Sequence, residues 1–453
     1  MTWIDLTDVI EFLGAEPSVT GIQRVALDLT SAMCALSGGC RPCAYCEEDA
    51  VFKTAPLEEL LAYAAQGEKM QSAAERLRRR VAKTAVSLVP RKLRRKLGLG
   101  KAPTARIKIA VGSRAHFRRG DVFVCLGAFW QSPNHVHRMQ KAVFVNEMKF
   151  ALMVHDLIPV NHSVWFSQES ANGWSARLKD LLRLADCIFA NSQFTANEIR
   201  RFAVDNKVAI GPITVVRLGD PTFVRASRAA HLSHPPSLPG PLPALARLRG
   251  RAGRGPGGYG SAPQYRGANF VLMVSSIDVR KNQKFLLPIW SRLICELGRE
   301  ATPDLLLIGK NANGSREFLA LVDESPELKG KVVVLNQVRD TELAWYYRRA
   351  LFTVFPSLAE GWGFPVAESL SFGKVCVASD VDALPEVGKD LVSYFAANDL
   401  HGAYDLIKGL IVNPAKRMRL EQAIADRYQP TEWAAAANAI LAALSRTERP
   451  REP

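Results

Sequence analysis

No stretch of the chain approaches the ~20 consecutive apolar residues that a membrane-spanning helix needs. The opening residues MTWIDLTDVIEF carry Asp5, Asp8 and Glu11 where a secretory leader would be apolar, so the sequence reads as cytosolic. Cysteine is sparse, eight in 453 residues, which argues for free thiols in a reducing compartment rather than a disulfide frame. Cys40, Cys43 and Cys46 form a C-x2-C-x2-C run, but no fourth ligand or nearby His completes a metal site. The run reads as a short strand after a helix. No G-x-G-x-x-G follows the first strand of either half of the chain, which removes the main fingerprint of a dinucleotide-dependent oxidoreductase. Acids are missing from two long segments, residues 76–120 and 234–267, and aromatics are missing from 75–106.

What is present is otherwise ordinary. Hydrophobic residues make up 48% and charged residues 23%, which excludes wholesale disorder, and the length allows two or three domains. The charge is concentrated. Arg76 through Gly120 contains sixteen basic residues, more than the net charge of +15 of the whole chain. Leu77, Val81, Ala85 and Leu88 recur there at near-helical spacing, and RKLRRKLGLGK follows Pro90, so the segment predicts one or two basic amphipathic helices. Such helices suit an anionic membrane surface. The alternatives are a solvated arm and a nucleic-acid contact, and without aromatics base stacking has little to use.

Residues 234–267 are rich in Pro and Gly and read as a linker. On either side strand-like and helix-like stretches alternate. Before it come TWIDLTDVI as a strand-like start, a helix candidate at 21–36, apolar runs at 122–126 and 143–146, then ALMVHDLIP and LKDLLRLADCIFANS. After it come NFVLMVSSI, a helix candidate at 282–297, DLLLIGK, VVVLNQV, DTELAWYYRRA, LFTVFPS, PVAESLSFG and VCVASD. This alternation predicts an α/β protein with two Rossmann-like domains facing a cleft, a basic helical insert and a Pro/Gly-rich interdomain linker. The expected boundaries are an N-terminal Rossmann-like domain over 1–220 with the insert at about 72–120, a linker over 221–267, a C-terminal Rossmann-like domain over 268–425, and a helix and tail over 426–453.

The densest chemistry lies in 356–388, PSLAEGWGFPVAESLSFGKVCVASDVDALPEVG. Glu360 follows an apolar strand, Gly361 and Gly363 permit a tight backbone path, Pro365 suits a first helical turn, and Glu368 falls early on that helix. Two carboxylates so spaced can face one ligand at different points. Alone they would read as a solvated loop Glu and a helix-start Glu, and neither is expected in the core.

This stretch resembles the Glu-x7-Glu signature of the retaining glycosyltransferases of family four, the glycosyl transferases group 1, which have the GT-B architecture. The resemblance extends to VLMVSSIDVRKNQKFLL, LLLIGK, VVVLNQVRDTEL and LPEVG, and in the first half to TGIQRVALDL, MVHDLIP and FANSQFT. It implies that Glu360 lies near the transferred sugar and that Glu368 accepts hydrogen bonds from the nucleotide ribose. Arg280 and Lys281 would hold the diphosphate and stabilise the charge that develops as it leaves. Gly363 and Phe364 would supply backbone amides, and His155 would approach the donor sugar. Gly21 and Arg24 open the first helix toward donor and acceptor. Where the family often has Gly before the Arg/Lys pair, this chain has Ser275 and Ser276, whose hydroxyls would line the phosphate path.

For Arg280 and Lys281, two cations at a helix start are better explained if an anion binds. Asp156 reads equally as a turn cap. The Asp380-x-Asp382 pair resembles a metal-binding element of a different fold, and no metal or cofactor is expected to be required. The implied activity is transfer of a hexose, with mannose from GDP-mannose favoured over UDP- or dTDP-sugars, to a lipid-linked or surface-polysaccharide acceptor. The implied location is cytoplasmic, peripheral on the inner face of the cell membrane through the basic insert, with no nucleic acid as partner. The rival readings are a basic nucleic-acid-binding or scaffold protein and a dinucleotide-dependent oxidoreductase.

Overall fold

The computed structural model describes residues 1–15, 19, 21–66, 110–130, 134–221, 224, 265, 267, 269–336 and 338–446. The amphipathic helices expected from Arg76 onward, and almost all of the Pro/Gly-rich segment, lie outside the described residues. The chain divides into two compact units. One comprises Met1–Gly219, Ala359–Phe364 and Pro430–Pro453; the other comprises Asp220–Leu358 and Pro365–Gln429.

The first unit is built on seven strands: β1 (Thr2–Asp5), β2 (Cys40–Cys46), β3 (Val51–Thr54), β4 (Val122–Cys125), β5 (Lys149–Val154), β6 (Cys187–Ala190) and β7 (Ile213–Val215), in the spatial order β3-β2-β1-β4-β5-β6-β7. All neighbours are parallel except β2 and β3. The interior strands are continuous apolar runs because helices cover both faces of a parallel sheet. Register brings Phe123 of β4 opposite Phe150 of β5, and their rings stack at 6.4 Å. The strand order reverses between β1 and β4.

Helix Ile22–Leu36 packs against the last helix, Trp433–Ser445, and Gly219 lies so near Trp433 that a Cβ would meet its ring at 2.7 Å. The C-terminal helix is therefore part of the first unit.

Three local expectations are corrected. The strand-like start ends at Asp5, and Thr7–Ala15 is a helix. Residues 143–145 belong to helix His135–Val145. Residues 112–115, within the stretch expected to be a basic amphipathic arm, instead run along β3: Gly112 N–H donates to Thr54, Thr54 N–H to Ser113, and Ala115 N–H to Phe52. Phe117 joins Trp3, Phe52 and Phe123 in an aromatic cluster. This end of the basic segment completes a sheet edge.

The second unit holds β8 (Phe270–Val274), β9 (Asp304–Ile308), β10 (Val332–Leu335), β11 (Thr353–Phe355), β12 (Cys376–Ser379) and β13 (Ser393–Phe395), all parallel, in the order β10-β9-β8-β11-β12-β13. Counted within the unit this is 3-2-1-4-5-6, the doubly wound order whose ligands sit beyond the strand carboxyl ends where the order reverses. That point falls between β8 and β11. Tyr265 ends the Pro/Gly-rich segment and is anchored here: its N–H donates to the Tyr346 hydroxyl and its own hydroxyl to Asp304. Among the described residues no helix is long and apolar enough to cross a membrane.

Candidate functional site

The loops after β8 and β11 are stitched together at the reversal point. Gln283 donates through Nε2 to the Ser275 hydroxyl at 3.0 Å and to the Ser276 carbonyl at 2.7 Å, fixing the first turn of the β8 loop. Asp278 caps the next turn by accepting the Arg280 N–H at 3.0 Å. The Arg280 carbonyl then accepts the Leu358 N–H at 2.8 Å and the Ser357 hydroxyl at 3.3 Å. Gly309, after β9, approaches so closely that a Cβ would lie 1.8 Å from the Ser275 carbonyl oxygen. The Ser275 oxygen accepts from Gln283, an arrangement that leaves its own O–H as a donor.

Arg280 and Lys281 do not start an α-helix. They end the short 3-10 turn Val279–Lys281; Asn282 follows with φ 59°, a left-handed conformation, and the α-helix runs only from Leu286 to Leu297. So short a turn carries no helix macrodipole, and the argument from an unfavourable helix start does not apply. Lys281 is nevertheless buried, with Nζ 5.4 Å from the centre of the Phe355 ring.

The loop from Pro356 leads into helix Phe364–Ser371 through Gly363, whose φ of 100° a side chain would strain. Glu360 and Glu368 are each only 7% exposed. Neither was expected in the core, and buried carboxylates need partners. Glu368 has one in Tyr347, whose hydroxyl donates to Oε2 at 2.6 Å. Burial and the neighbouring Glu368 charge push the Tyr347 hydroxyl well above its ordinary pKa, so it remains a donor.

In the first unit, β5 ends at Val154 and delivers His155 into a buried position. Its Nε2 lies 2.7 Å from the Leu126 carbonyl. A carbonyl only accepts, so Nε2 carries the proton. Burial lowers the His155 pKa, which leaves a neutral ring with an unprotonated Nδ1. Asn191 of the FANSQFT stretch donates to the His155 carbonyl at 2.8 Å. Gly361 abuts that same carbonyl, at a distance where a Cβ would come to 2.0 Å. The residue after Glu360 is therefore brought against His155, 206 positions earlier in sequence. Asp156 accepts the Ile158 N–H at 3.1 Å and caps a turn, as its alternative reading had it.

Gly21 has φ 48° and is the N-cap of helix Ile22–Leu36, with Arg24 half-buried on its first turn. Asp380 accepts the Ala397 N–H at 3.2 Å, and Asp382 has a left-handed φ of 51°. Both are turn-forming roles. Among the described residues no group of three or more His, Cys, Asp or Glu is arranged to hold a metal ion. In β2, Cys40, Cys43 and Cys46 fall three apart, so neighbouring thiols point to opposite faces.

Sequence reasoning missed a buried polar cluster at the carboxyl end of β1. His135 Nε2 meets Asp5 Oδ2 at 2.8 Å, and Asp8 accepts the Ala128 N–H at 2.8 Å. Burial pushes Asp8 up to about 6. Asp8 and His155 thus grip the same segment, one through Ala128 and the other through Leu126. A visible signal was the presence of three acids, Asp5, Asp8 and Glu11, in an otherwise apolar opening strand and helix.

Residues 268–426 match the family described as Glycosyl transferases group 1. Over 245 residues the chain is 24% identical to the serotype-specific mannosyltransferase WbdA of Escherichia coli, covering 54% of this chain and 27% of that one. Over 131 residues it is 32% identical to O-antigen chain mannosyltransferase B of Escherichia coli, covering 29% of this chain and 34% of that one. The matched regions span about a quarter to a third of the length of these relatives. The fold is similar to that of sucrose-phosphate synthase from Thermosynechococcus elongatus, with TM-score 0.58, 17% identity, and coverage of 98% of this chain and 97% of that one.

Proposed function

We propose, from the premise that the chain carries a glycosyl transferases group 1 domain, that it is a retaining glycosyltransferase moving a hexose, mannose in the first instance, from a nucleotide diphosphate sugar to a lipid-linked or surface-polysaccharide acceptor. The observation that carries the reading is the pair Glu360 and Glu368. Both are buried carboxylates on the loop and helix that follow β11, beside the strand-order reversal where doubly wound sheets take nucleotides.

In this reading Glu368 accepts from the ribose hydroxyls, since a carboxylate offers two acceptor oxygens to a vicinal diol. Arg280 and Lys281 bind the diphosphate and stabilise it as it departs, supported by the Gly363 and Phe364 backbone amides and the Ser276 turn. Their charge makes a metal unnecessary. His155, neutral and protonated at Nε2, uses Nδ1 to accept from a hydroxyl of the donor sugar. Glu360 stays beside the reacting carbon. The acceptor oxygen attacks from the face the leaving group vacates and its proton passes to the departing phosphate, which preserves the anomeric configuration. The mannosyltransferase relatives support mannose as the sugar and a polysaccharide as the acceptor. The charge of residues 76–120 supports a place on an anionic membrane surface, on the cytoplasmic side.

The test is a thermal-shift series with GDP-mannose, UDP-glucose and dTDP-rhamnose, followed by product analysis with a mannose-terminated oligosaccharide. A ligand bound only by the folded state raises the midpoint, by about 2.7 kcal/mol of stability at a hundred times its dissociation constant. GDP-mannose is expected to give the largest shift. A chain that no nucleotide sugar stabilises would not be this enzyme.

A further inference from the structure

We propose that Tyr347 is the positioning residue of the nucleotide site: its hydroxyl holds the Glu368 carboxylate in the orientation that reads a ribose diol, and so sets the preference for ribonucleotide over 2′-deoxyribonucleotide donors. The proposal rests on the reading of Glu368 as the ribose ligand.

The geometry begins with two adjacent tyrosines on helix Asp340–Arg349, the element that precedes β11. Tyr346 and Tyr347 are both fully buried, and consecutive residues on a helix project about 100° apart. They take different partners. The Tyr346 hydroxyl accepts the Tyr265 N–H at 3.0 Å and its ring meets Phe270 edge-on, which ties it to the core of the sheet. Tyr347 turns instead to the helix that follows β11, where its ring stacks on Phe372 at 5.1 Å with planes 9° apart and its hydroxyl reaches Glu368 at 2.6 Å.

Glu368 and Phe372 are four residues apart, and the Phe372 N–H donates to the Glu368 carbonyl at 3.0 Å, so the helical path continues between them. Residues so spaced share a helix face. Tyr347 therefore engages that face at two heights. The stacked ring fixes where the hydroxyl sits, and the hydroxyl fixes the carboxylate.

That second step is needed because the terminal torsion of a glutamate is broad and roughly two-fold. A carboxylate free to rotate presents its lone pairs over a range of planes, whereas a vicinal diol delivers two donors in one plane. With Oε2 anchored by a short hydrogen bond from a neutral donor, the carboxylate keeps one orientation. Shape filling alone would need only the ring, which phenylalanine also supplies.

The experiment measures, by calorimetry on the full chain, affinities for GDP and UDP and for 2′-deoxy-GDP and 2′-deoxy-UDP, in the wild type, Tyr347→Phe, Glu368→Gln and the double variant. The wild type is expected to prefer the ribonucleotide by at least about tenfold, the value of one good hydrogen bond to a charged group. Tyr347→Phe keeps the Phe372 stack. It is expected to lose most of that preference by weakening ribonucleotide binding while leaving deoxyribonucleotide binding nearly unchanged.

The double variant is expected to bind no worse than Glu368→Gln alone, because the hydroxyl then has no carboxylate to orient. It also removes the buried carboxylate that loses its Tyr347 donor, so it reports even if Tyr347→Phe folds poorly. If Tyr347→Phe retains the wild-type ratio while Glu368→Gln abolishes it, the tyrosine is only a packing residue and the proposal is overturned. If Glu368→Gln retains the ratio, or the wild type shows none, the ribose reading of Glu368 falls first and the proposal with it.

Discussion

Gly361 lies against the backbone carbonyl of His155, at a distance where even a methyl group would come within 2.0 Å of the oxygen. The contact fixes the path of the loop that carries Glu360, and backbone on one side leaves nothing flexible to yield. Gly361→Ala should therefore displace the loop, with a cost of about 1–3 kcal/mol typical of overpacking. Transfer should fall by at least roughly a hundredfold, since small displacements at a reacting centre are costly. The check is kcat together with the unfolding midpoint; unchanged transfer would mean the loop is not part of the site.

Glu360→Gln and Glu368→Gln should separate two roles. Loss of the Glu360 charge should lower kcat by roughly a hundredfold or more with little change in donor KM, whereas loss of the Glu368 charge should mainly raise donor KM. Glutamine keeps the volume, which matters because both side chains are buried. Wild-type transfer by both variants would remove the assignment.

Lys281→Met keeps an unbranched side chain next to the Phe355 ring but removes the cation. Diphosphate binding and kcat should both fall, as expected when a charge acts more on the transition state than on the ground state. Addition of EDTA should leave wild-type transfer unchanged. Activity lost to EDTA and restored by Mg²⁺ would assign the diphosphate to a metal instead.

Much of this was readable because the parallel strands are continuous apolar runs, from FVLMV in β8 to CVAS in β12, and because Glu360, Glu368, Arg280 and Lys281 sit in short motifs just after them. What was not readable depends on partners distant in sequence. Tyr347 is an ordinary helix residue until Glu368 is placed beside it, and His135 is unremarkable until β1 brings Asp5 to its ring. The α-helix starts at Leu286 rather than Asn282 because Asn282 takes a left-handed conformation and Gln283–Phe285 then form a 3-10 turn. Residues 112–115 were hidden by the charge run around them, although their backbone pairs with β3.

Asp8 gives a pH test. Burial raises its folded pKa to about 6 from the ordinary 3.8, with Asp5 adding to the rise and His135 and the Ala128 N–H opposing it. Between these values the native state holds a proton that the unfolded chain has released, so stability falls as pH rises across that window and is level on either side. The native penalty above pH 6 is on the order of 3 kcal/mol. Asp8→Asn can still accept the Ala128 N–H and does not ionise. Its midpoint relative to wild type should therefore climb between pH 4 and 6, by a few degrees in all, and then stay level. A constant offset from pH 4 to 8 would show that Asp8 does not titrate in this window.

The basic segment predicts a separable membrane effect. Arg91, Lys92, Arg94 and Arg95 lie among Leu93 and Leu97 in a stretch that no catalytic motif uses, so charge and apolar spacing occur together without a role in the nucleotide site. Binding to vesicles should rise with the fraction of anionic lipid and fall as salt shortens the screening length, which is ~8 Å at physiological ionic strength. At about 1 kcal/mol for each basic side chain near the surface, replacing these four with Glu should lower vesicle affinity by several hundredfold. Nucleoside-diphosphate binding should be unaffected, because Glu368, Arg280 and Lys281 belong to motifs distant in sequence from the basic segment. Co-sedimentation with phosphatidylglycerol vesicles, alongside calorimetry with GDP, measures both. If the intact chain ignores anionic vesicles at low salt but binds RNA or DNA tightly, the segment is a nucleic-acid contact and the membrane assignment is wrong.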